Sequence, residues 1–362
     1  MNLENKVDEL EQKNKKTKKK KSNKGLIIAV IFVFLLVSSV IALLIWGMNF
    51  LNTQLDKITR ENINRNELNI NEGVREDLEG YRNILLLGID ARDMTSDENT
   101  RSDAMIIVSI NEETSDIRMI SIYRDTYLDL GERVGLDKLT HAYYYGGAQQ
   151  TVASMNENLD FNIEEFVVVN WKAVADAVDA LGGIVIDVQE SELDELNKYI
   201  NETARTTGGS KDKVKKAGKQ TLNGVQAVTY SRIRKDSIEG DRRRNERMKI
   251  VIAAAFDKMK TMGVTELDDM TNLVLPQIKT NMTNTEMLDL MLDFPAYNMG
   301  KNTSWPYDWM DFTYNGVWYG PPVTLNSNVS QLHEEYFGQK NYEPTETVQD
   351  ISYEISARTG RW

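Results

Sequence analysis

Between Leu26 and Trp46 the chain reads LIIAVIFVFLLVSSVIALLIW, 21 residues without a charge. At about 1.5 Å of rise per residue, a helix of that length crosses the roughly 30 Å of bilayer hydrocarbon. The run predicts a transmembrane helix over 26–46 and so separates the chain into two compartments. In front of it, residues 1–25 hold nine lysines against Glu4, Asp8, Glu9 and Glu11. Such a basic flank stays in the cytoplasm and meets lipid headgroups, while Trp46 suits the far interface. A cleaved signal peptide would have an apolar core of about 7–15 residues with small residues close behind. This run is too long for that. The expectation is a single-pass protein of the cell membrane, with its N-terminus cytoplasmic and everything after residue 50 extracellular.

Charge and residue types narrow the chemistry. The chain carries a formal −12, and since the tail is basic, the exported part is more acidic still. A nucleic-acid partner is therefore not expected. There is no cysteine, and His141 and His333 are the two histidines. Thiol nucleophiles, zinc-thiolate centres and multi-histidine metal sites are excluded.

Residues 47–80 are polar and weakly periodic and read as a partly helical stalk. The body starts at NILLLGID (83–90), a continuous apolar run typical of a buried strand. Further strands are predicted at 104–110, 117–123, 166–170 and 184–188. Helices are predicted near 149–158, at 171–181 before Gly182-Gly183, and at 242–262 before Gly263. This alternation predicts an α/β sheet covered by helices. The pattern weakens over 190–219, where TTGGSKDKVKKAGK (206–219) reads as a mobile exposed insertion, and FTYNGVWYGPPV (312–323) reads as a hairpin or edge strand. The body is expected to span 81–338, with 339–362 a poorly ordered tail.

Against the acidic background, TYSRIRKDSIEGDRRRNERMK (229–249) gathers six arginines. Asp241 can cap a helix starting at Arg242, which sets Arg244 on the apolar face shared by Met248 and Val251. An inward arginine at the positive end of a helix calls for an anion, and free N–H groups there favour phosphate. Arg232 and Arg234, two apart, share one side of an extended segment. Arg242 and Arg243 read instead as a solvated helix start paired with nearby acids. A second constellation is GIDARDMTSDENTRSDAM (88–105). Asp90 at one strand end and Asp103 leading into the next are placed to converge, as carboxylates do around Mg²⁺. Arg92 and Arg101 lie beside them, and Arg124 with Asp125 closes ISIYRD. Singly these are ordinary ion pairs, but three strand ends each offering Asp and Arg resemble a diphosphate site.

The pieces NILLLGIDAR, TRSDAM, SIYRDTYL, KLTHAYYYGG, FVVVNWKAVADAVDALGGIVIDV, YSRIRKD and GDRRRNER, in this order behind a basic tail and one span, resemble the LytR-CpsA-Psr family of cell-envelope phosphotransferases. The likeness covers roughly 82–262, with NGVWY a weaker echo of the family's closing strand. It implies a mixed central β-sheet whose apolar interior takes a prenyl chain. It also implies transfer of a glycopolymer, with its phosphate, from an undecaprenyl-pyrophosphate carrier to a peptidoglycan hydroxyl, attaching a teichoic acid or capsule-type polymer to the wall. On matching positions, Asp90 and Asp103 would hold Mg²⁺, and Arg124, Arg232, Arg234, Arg244 and Arg247 would grip the pyrophosphate. Arg92, Asp103 and Arg124 would be the catalytic residues, with Asp103 or Asp125 taking the acceptor's proton. The sequence departs from the family at Met248, where Gln is frequent, and at Tyr123, where Pro is common. A non-catalytic polyprenyl-phosphate scaffold and a lipid-pyrophosphate hydrolase remain the alternatives. A transcriptional role is disfavoured, since about 25 cytoplasmic residues are too few for a helix-turn-helix domain.

Overall fold

The structure is a computed structural model that describes residues 47, 49–91, 100–234, 240–262 and 271–361. It divides into two units, Met1–Thr53 and Gln54–Trp362. In the first, Gly47 and residues 49–53 are described and are helical. No helix among the described residues is long and apolar enough to cross a membrane. The span expected at 26–46 and the basic tail lie outside those residues.

The second unit is built on a seven-stranded mixed sheet in the order β1-β10-β7-β2-β3-β4-β11. These strands are β1 (Thr59–Arg60), β2 (Tyr81–Ile89), β3 (Ser102–Asn111), β4 (Asp116–Ile122), β7 (Glu165–Asn170), β10 (Ile278–Thr280) and β11 (Asn298–Trp305). β2 pairs antiparallel with β3 and parallel with β7, and β3 pairs antiparallel with β4. The runs predicted from 83, 104, 117 and 166 are thus neighbours in one sheet. They read as mostly apolar because both faces are covered. Leu85, Leu87, Met105, Ile107, Ile120, Phe166 and Val168 face the main core. Ile106, Met119 and Leu86, of opposite parity, face a second layer with Trp171, Val228 and Met248.

The fifth predicted strand corrects one expectation. Residues Ile184–Val188 (β8) do not join the main sheet but pair antiparallel with Gly218–Leu222 (β9). Their buried residues form a satellite core with Leu196, Ile200 and Val225. Three helices line the second face of the main sheet: α3 (Trp171–Ala180), α5 (Gly224–Arg232) and α6 (Gly240–Met259). α6 takes in Gly240 and Asp241, so Asp241 stands in its first turn rather than before it. α5 begins hard against α3. A Cβ on Gly224 would lie 2.0 Å from the Ala175 carbonyl oxygen, so that position admits glycine alone.

Three segments are more ordered than their composition predicts. The expected stalk enters the body: Thr59 and Arg60 pair with β10, and Leu68, Val74 and Leu78 are buried in the main core. The weakly patterned stretch from 190 forms α4 (Glu190–Thr207), whose entry is fixed by Gln189 N–H donating to Glu192 Oε2 at 2.9 Å, while most of the expected insertion, 208–217, is a largely exposed connection to β9. The expected loose tail forms α9 (Glu346–Thr359), after α8 (Leu325–Phe337). Val348, Ile351 and Ile355, at helical spacing, lie in the main core. Thr345 ties the start of α9 back to Asp160, its hydroxyl donating to Oδ1 at 2.7 Å. Tyr342 stacks on buried His333 with centroids 3.9 Å apart. The remaining elements are α1 (Glu72–Asp77), α2 (Thr140–Leu159), α7 (Asn284–Asp293), the β5–β6 pair (Tyr127–Asp129, Leu136–Lys138) and the predicted hairpin β12–β13 (Phe312–Tyr314, Val317–Tyr319).

Candidate anion site beside an apolar cleft

The end of the sheet where β2 stops and β3 begins carries the acidic residues. Gly88 pairs with Ala104 and Ile89 with Ser102, so Asp103 is the extra residue of a β-bulge. A bulge re-aims its side chain, and Asp103 lines a pocket of about 360 Å³. Asp90 follows Ile89 at the same end of the neighbouring strand and is exposed. Arg92 lies outside the described residues.

Four of the predicted arginines meet in that pocket: Arg124, Arg232, Arg234 and Arg244. They come from three elements. Arg124 sits in the turn after β4, where its NH1 donates to Asp103 Oδ1 at 2.6 Å and its Nε to Asp125 Oδ2 at 3.3 Å. The preceding Tyr123 donates its N–H to Trp305 O at 3.0 Å, a bond that proline could not make. Arg232 ends α5, Ile233 follows in extended conformation and is buried, and Arg234 comes next. Both guanidinium groups line the pocket, but Arg232 is still helical, so the expected extended segment begins only at Ile233. Arg244, 3% exposed, lies in α6 and donates from NH2 to the Asp103 carbonyl at 3.1 Å. Asp103 is thus held by one arginine at its side chain and another at its backbone.

Arg247 departs from the expected set. It does not line the pocket; its Nε donates to Glu192 Oε1 at 2.8 Å and its NH1 to Ile233 O at 3.0 Å, all within the interior. The partner carboxylate comes from α4, which explains why a cation can be fully buried here. Its role is to pin the extended residue between Arg232 and Arg234. The Tyr230 hydroxyl in the same interior is pushed up to about 12, first by burial and then by the Glu192 charge. Arg243 pairs with Glu246 at 2.8 Å, as expected for the solvated helix start.

Other lining residues were not singled out in the sequence. Tyr199, Glu202 and Thr203 come from α4, and Thr229 from α5. Arg232 lies 3.8 Å from Glu202 and stacks 5.6 Å over the Trp171 ring. Trp171 is also the shared wall to a second space of about 290 Å³. That cleft is apolar and runs between the sheet and α3 and α6, with Gly88, Ala104, Ile106, Val169, Val174 and Ile252 around it. Met248 lines this cleft and not the arginine pocket, so its thioether serves an apolar wall.

Of the two candidate bases, Asp103 lines the pocket, whereas Asp125 is engaged by Lys138 Nζ at 2.9 Å as well as by Arg124 and is not part of the lining. Among the described residues no group of three or more His, Cys, Asp or Glu is disposed to hold a metal alone. The neighbouring Asp90 and Asp103 are hard oxygen donors of the kind Mg²⁺ takes when phosphate and water complete its shell.

The profile of the LytR_cpsA_psr family matches residues 47–331. A polyisoprenyl-teichoic acid–peptidoglycan teichoic acid transferase TagU from Bacillus licheniformis is 32% identical over 64% of this chain and 69% of its own length. The TagU of Bacillus subtilis is 34% identical over 58% and 63%. Among solved structures, TagT bound to LIIa-WTA superposes with a TM-score of 0.55 at 25% identity, covering 78% of this chain and 92% of that one. The shared profile and the shared mixed α/β fold establish that the chain belongs to the LytR-CpsA-Psr family.

Proposed function

We propose that the protein transfers a phosphate-linked glycopolymer from an undecaprenyl-pyrophosphate carrier to a peptidoglycan hydroxyl, at the outer face of a membrane in which residues 26–46 anchor it. The observation that carries this reading is the junction at Trp171, where a pocket of four arginines meets an apolar cleft. A lipid pyrophosphate has the same two parts in the same order. The names of the relatives, which describe transfer of teichoic acid from a polyisoprenyl carrier to peptidoglycan, agree with it.

In this mechanism the prenyl chain lies along Val169, Ile106 and Met248, and its pyrophosphate enters among Arg124, Arg232, Arg234 and Arg244. Planar guanidinium groups meet phosphate oxygens in pairs and stay protonated, which suits a step whose main demand is charge neutralisation. The acceptor oxygen bonds to the phosphorus that bears the glycan, and the bond from that phosphorus to the bridging oxygen breaks. The lipid leaves as its monophosphate. Asp103 takes the hydroxyl proton, its carboxylate being held at the pocket by Arg124. Asp90 and Asp103 would hold Mg²⁺, which when bound adds positive charge on the pyrophosphate oxygens. Arg92, by its motif position, would stand near the attacking or leaving oxygen.

The test uses full-length protein in detergent with a glycan-bearing lipid pyrophosphate, peptidoglycan and Mg²⁺. Lipid monophosphate and glycan bound to the wall fraction should appear together, and Arg124→Ala and Arg244→Ala should lose both. Release of monophosphate without wall-bound glycan would identify a hydrolase. Lipid binding with neither product would identify a scaffold.

A further inference from the structure

Near the arginine pocket is a surface of rings that the reaction just described does not use. Tyr144, Tyr145, Trp309, Tyr314 and Trp318 are between 36% and 51% exposed. Large rings in water at this density mark a binding surface more often than chance. Four of them form two pairs, linked through the adjacent residues Asp137 and Lys138. Trp309 stands edge-on to Trp318 with centroids 6.0 Å apart, and Tyr144 edge-on to Tyr145 at 5.4 Å. Lys138 Nζ lies 5.7 Å from the Trp318 centroid and 5.6 Å from that of Tyr319. The preceding residue, Asp137, contacts His141 Nδ1 at 2.8 Å and accepts from the Tyr145 hydroxyl at 3.4 Å.

This surface is wired to the reaction pocket by direct contacts. Lys138 Nζ donates to Asp125 at 2.9 Å, and Asp125 accepts from Arg124. Gly320, just past β13, donates its N–H to the Asp125 carbonyl at 3.0 Å. At the start of α2, the Thr140 hydroxyl donates at 2.8 Å to the carbonyl of Ser102, one residue before Asp103. The hairpin and α2 are therefore each fastened next to a pocket residue.

We propose that this aromatic shelf is the subsite for the acceptor glycan, stacking the sugar rings of a peptidoglycan strand so that one hydroxyl reaches Asp103 and Arg124; the proposal rests on the transfer reading above. A pyranose offers a face of C–H groups, slightly positive, and a rim of hydroxyls. Ring faces take the first and carboxylates the second. The acidic groups lie among the rings: Asp311 accepts from Trp318 Nε1 at 2.8 Å, and Asp137 lies beside Tyr145. Two cations lie beside the rings, Lys138 held by Asp125 and Arg133 by the Tyr145 carbonyl, and Asp137 and Asp311 stand with them, so an anionic lipid surface is the poorer match.

The experiment measures binding and transfer with full-length protein in detergent, using peptidoglycan strands stripped of their stem peptides and an N-acetylglucosamine hexamer as probes. In Trp318→Ala the KM for the strands should rise about tenfold, with the rate at saturating acceptor and the affinity for lipid pyrophosphate held. Trp318→Phe should recover most of the loss. Tyr144→Ala with Tyr145→Ala, on a different element, should weaken the same parameter should the hairpin variant fold poorly. Unchanged acceptor KM in both sets overturns the shelf, as does an equal loss of lipid-pyrophosphate affinity. Loss of binding to vesicles of anionic lipid with sugar binding intact overturns it in favour of a membrane contact. Where the wild type binds strands through Trp318 but transfers nothing, the shelf stands and the transfer reading falls.

Discussion

The two faces of the central sheet are made by alternate residues of the same strands, and they are finished in opposite ways. On one, Leu85, Leu87, Ile107, Ile120 and Phe166 are sealed under α2, α8 and α9. On the other, Leu86, Gly88, Ala104, Ile106 and Val169 border the cleft of about 290 Å³. The difference arises at small residues near the strand ends, where a Cβ on Gly88 would come within 2.9 Å of the Ala104 Cβ. Protein interiors leave few spaces larger than a water molecule. On the proposed function this greasy space takes the prenyl chain, and the opposite face carries most of the stability.

That division predicts separable defects. The largest concerns the pocket that closes the open face: Arg124→Ala should cut turnover by about 10²–10³-fold, the scale for losing one preorganised charge donor, with the unfolding midpoint retained. Unaltered turnover would remove the arginines from the chemistry. Next, Ile107→Ala on the sealed face should lower unfolding free energy by about 3 kcal/mol in denaturant titrations. Ile106→Ala, one residue away, should cost clearly less, since it widens an existing space instead of opening a sealed void. Equal losses would erase the contrast between the faces.

A smaller effect is expected from filling the cleft. Ala104→Leu should weaken retention of a prenyl pyrophosphate about tenfold while changing stability by under about 1.5 kcal/mol, measured by lipid binding beside thermal unfolding. The last is a pH effect on the helix that carries Arg244. Burial pushes the Lys249 ammonium down to about 8, and its Nζ donates to Thr303 O at 2.6 Å. Between that value and the ordinary lysine range the unfolded chain holds more protons than the folded one. Stability from this group therefore rises as pH goes from about 8 towards 10. Lys249→Met should lose that rise, and parallel profiles would show the ammonium to be well solvated.

The strands from 83, 104, 117 and 166 were legible because a short, mostly apolar run is too brief for a core helix and too greasy for a loop. The placement of β8 was not, since a buried strand reads alike whether it pairs in a large sheet or with Gly218–Leu222. α9 escaped notice because its buried side is three aliphatic residues among polar ones, and its docking depends on Asp160, far back in the chain. At the site, Arg232, Arg234 and Arg244 stood out as cations in an apolar pattern, and the structure brings them together with Arg124 and Asp103. Arg247 shared that pattern but is claimed by Glu192, 55 positions earlier, and no local spacing announces such a pairing. Tyr199 and Glu202 were hidden in a stretch whose polar surface outweighs its buried side.

The docking of α9 has a consequence for biosynthesis. A nascent polypeptide emerges from its amino end, so the strands of the sheet are made long before Val348, Ile351 and Ile355 exist to cover them. Until α9 is made, the part of the sealed layer beneath it stays open to water. Closing that face therefore waits on synthesis through Ile355, which makes it a late, long-range step of folding.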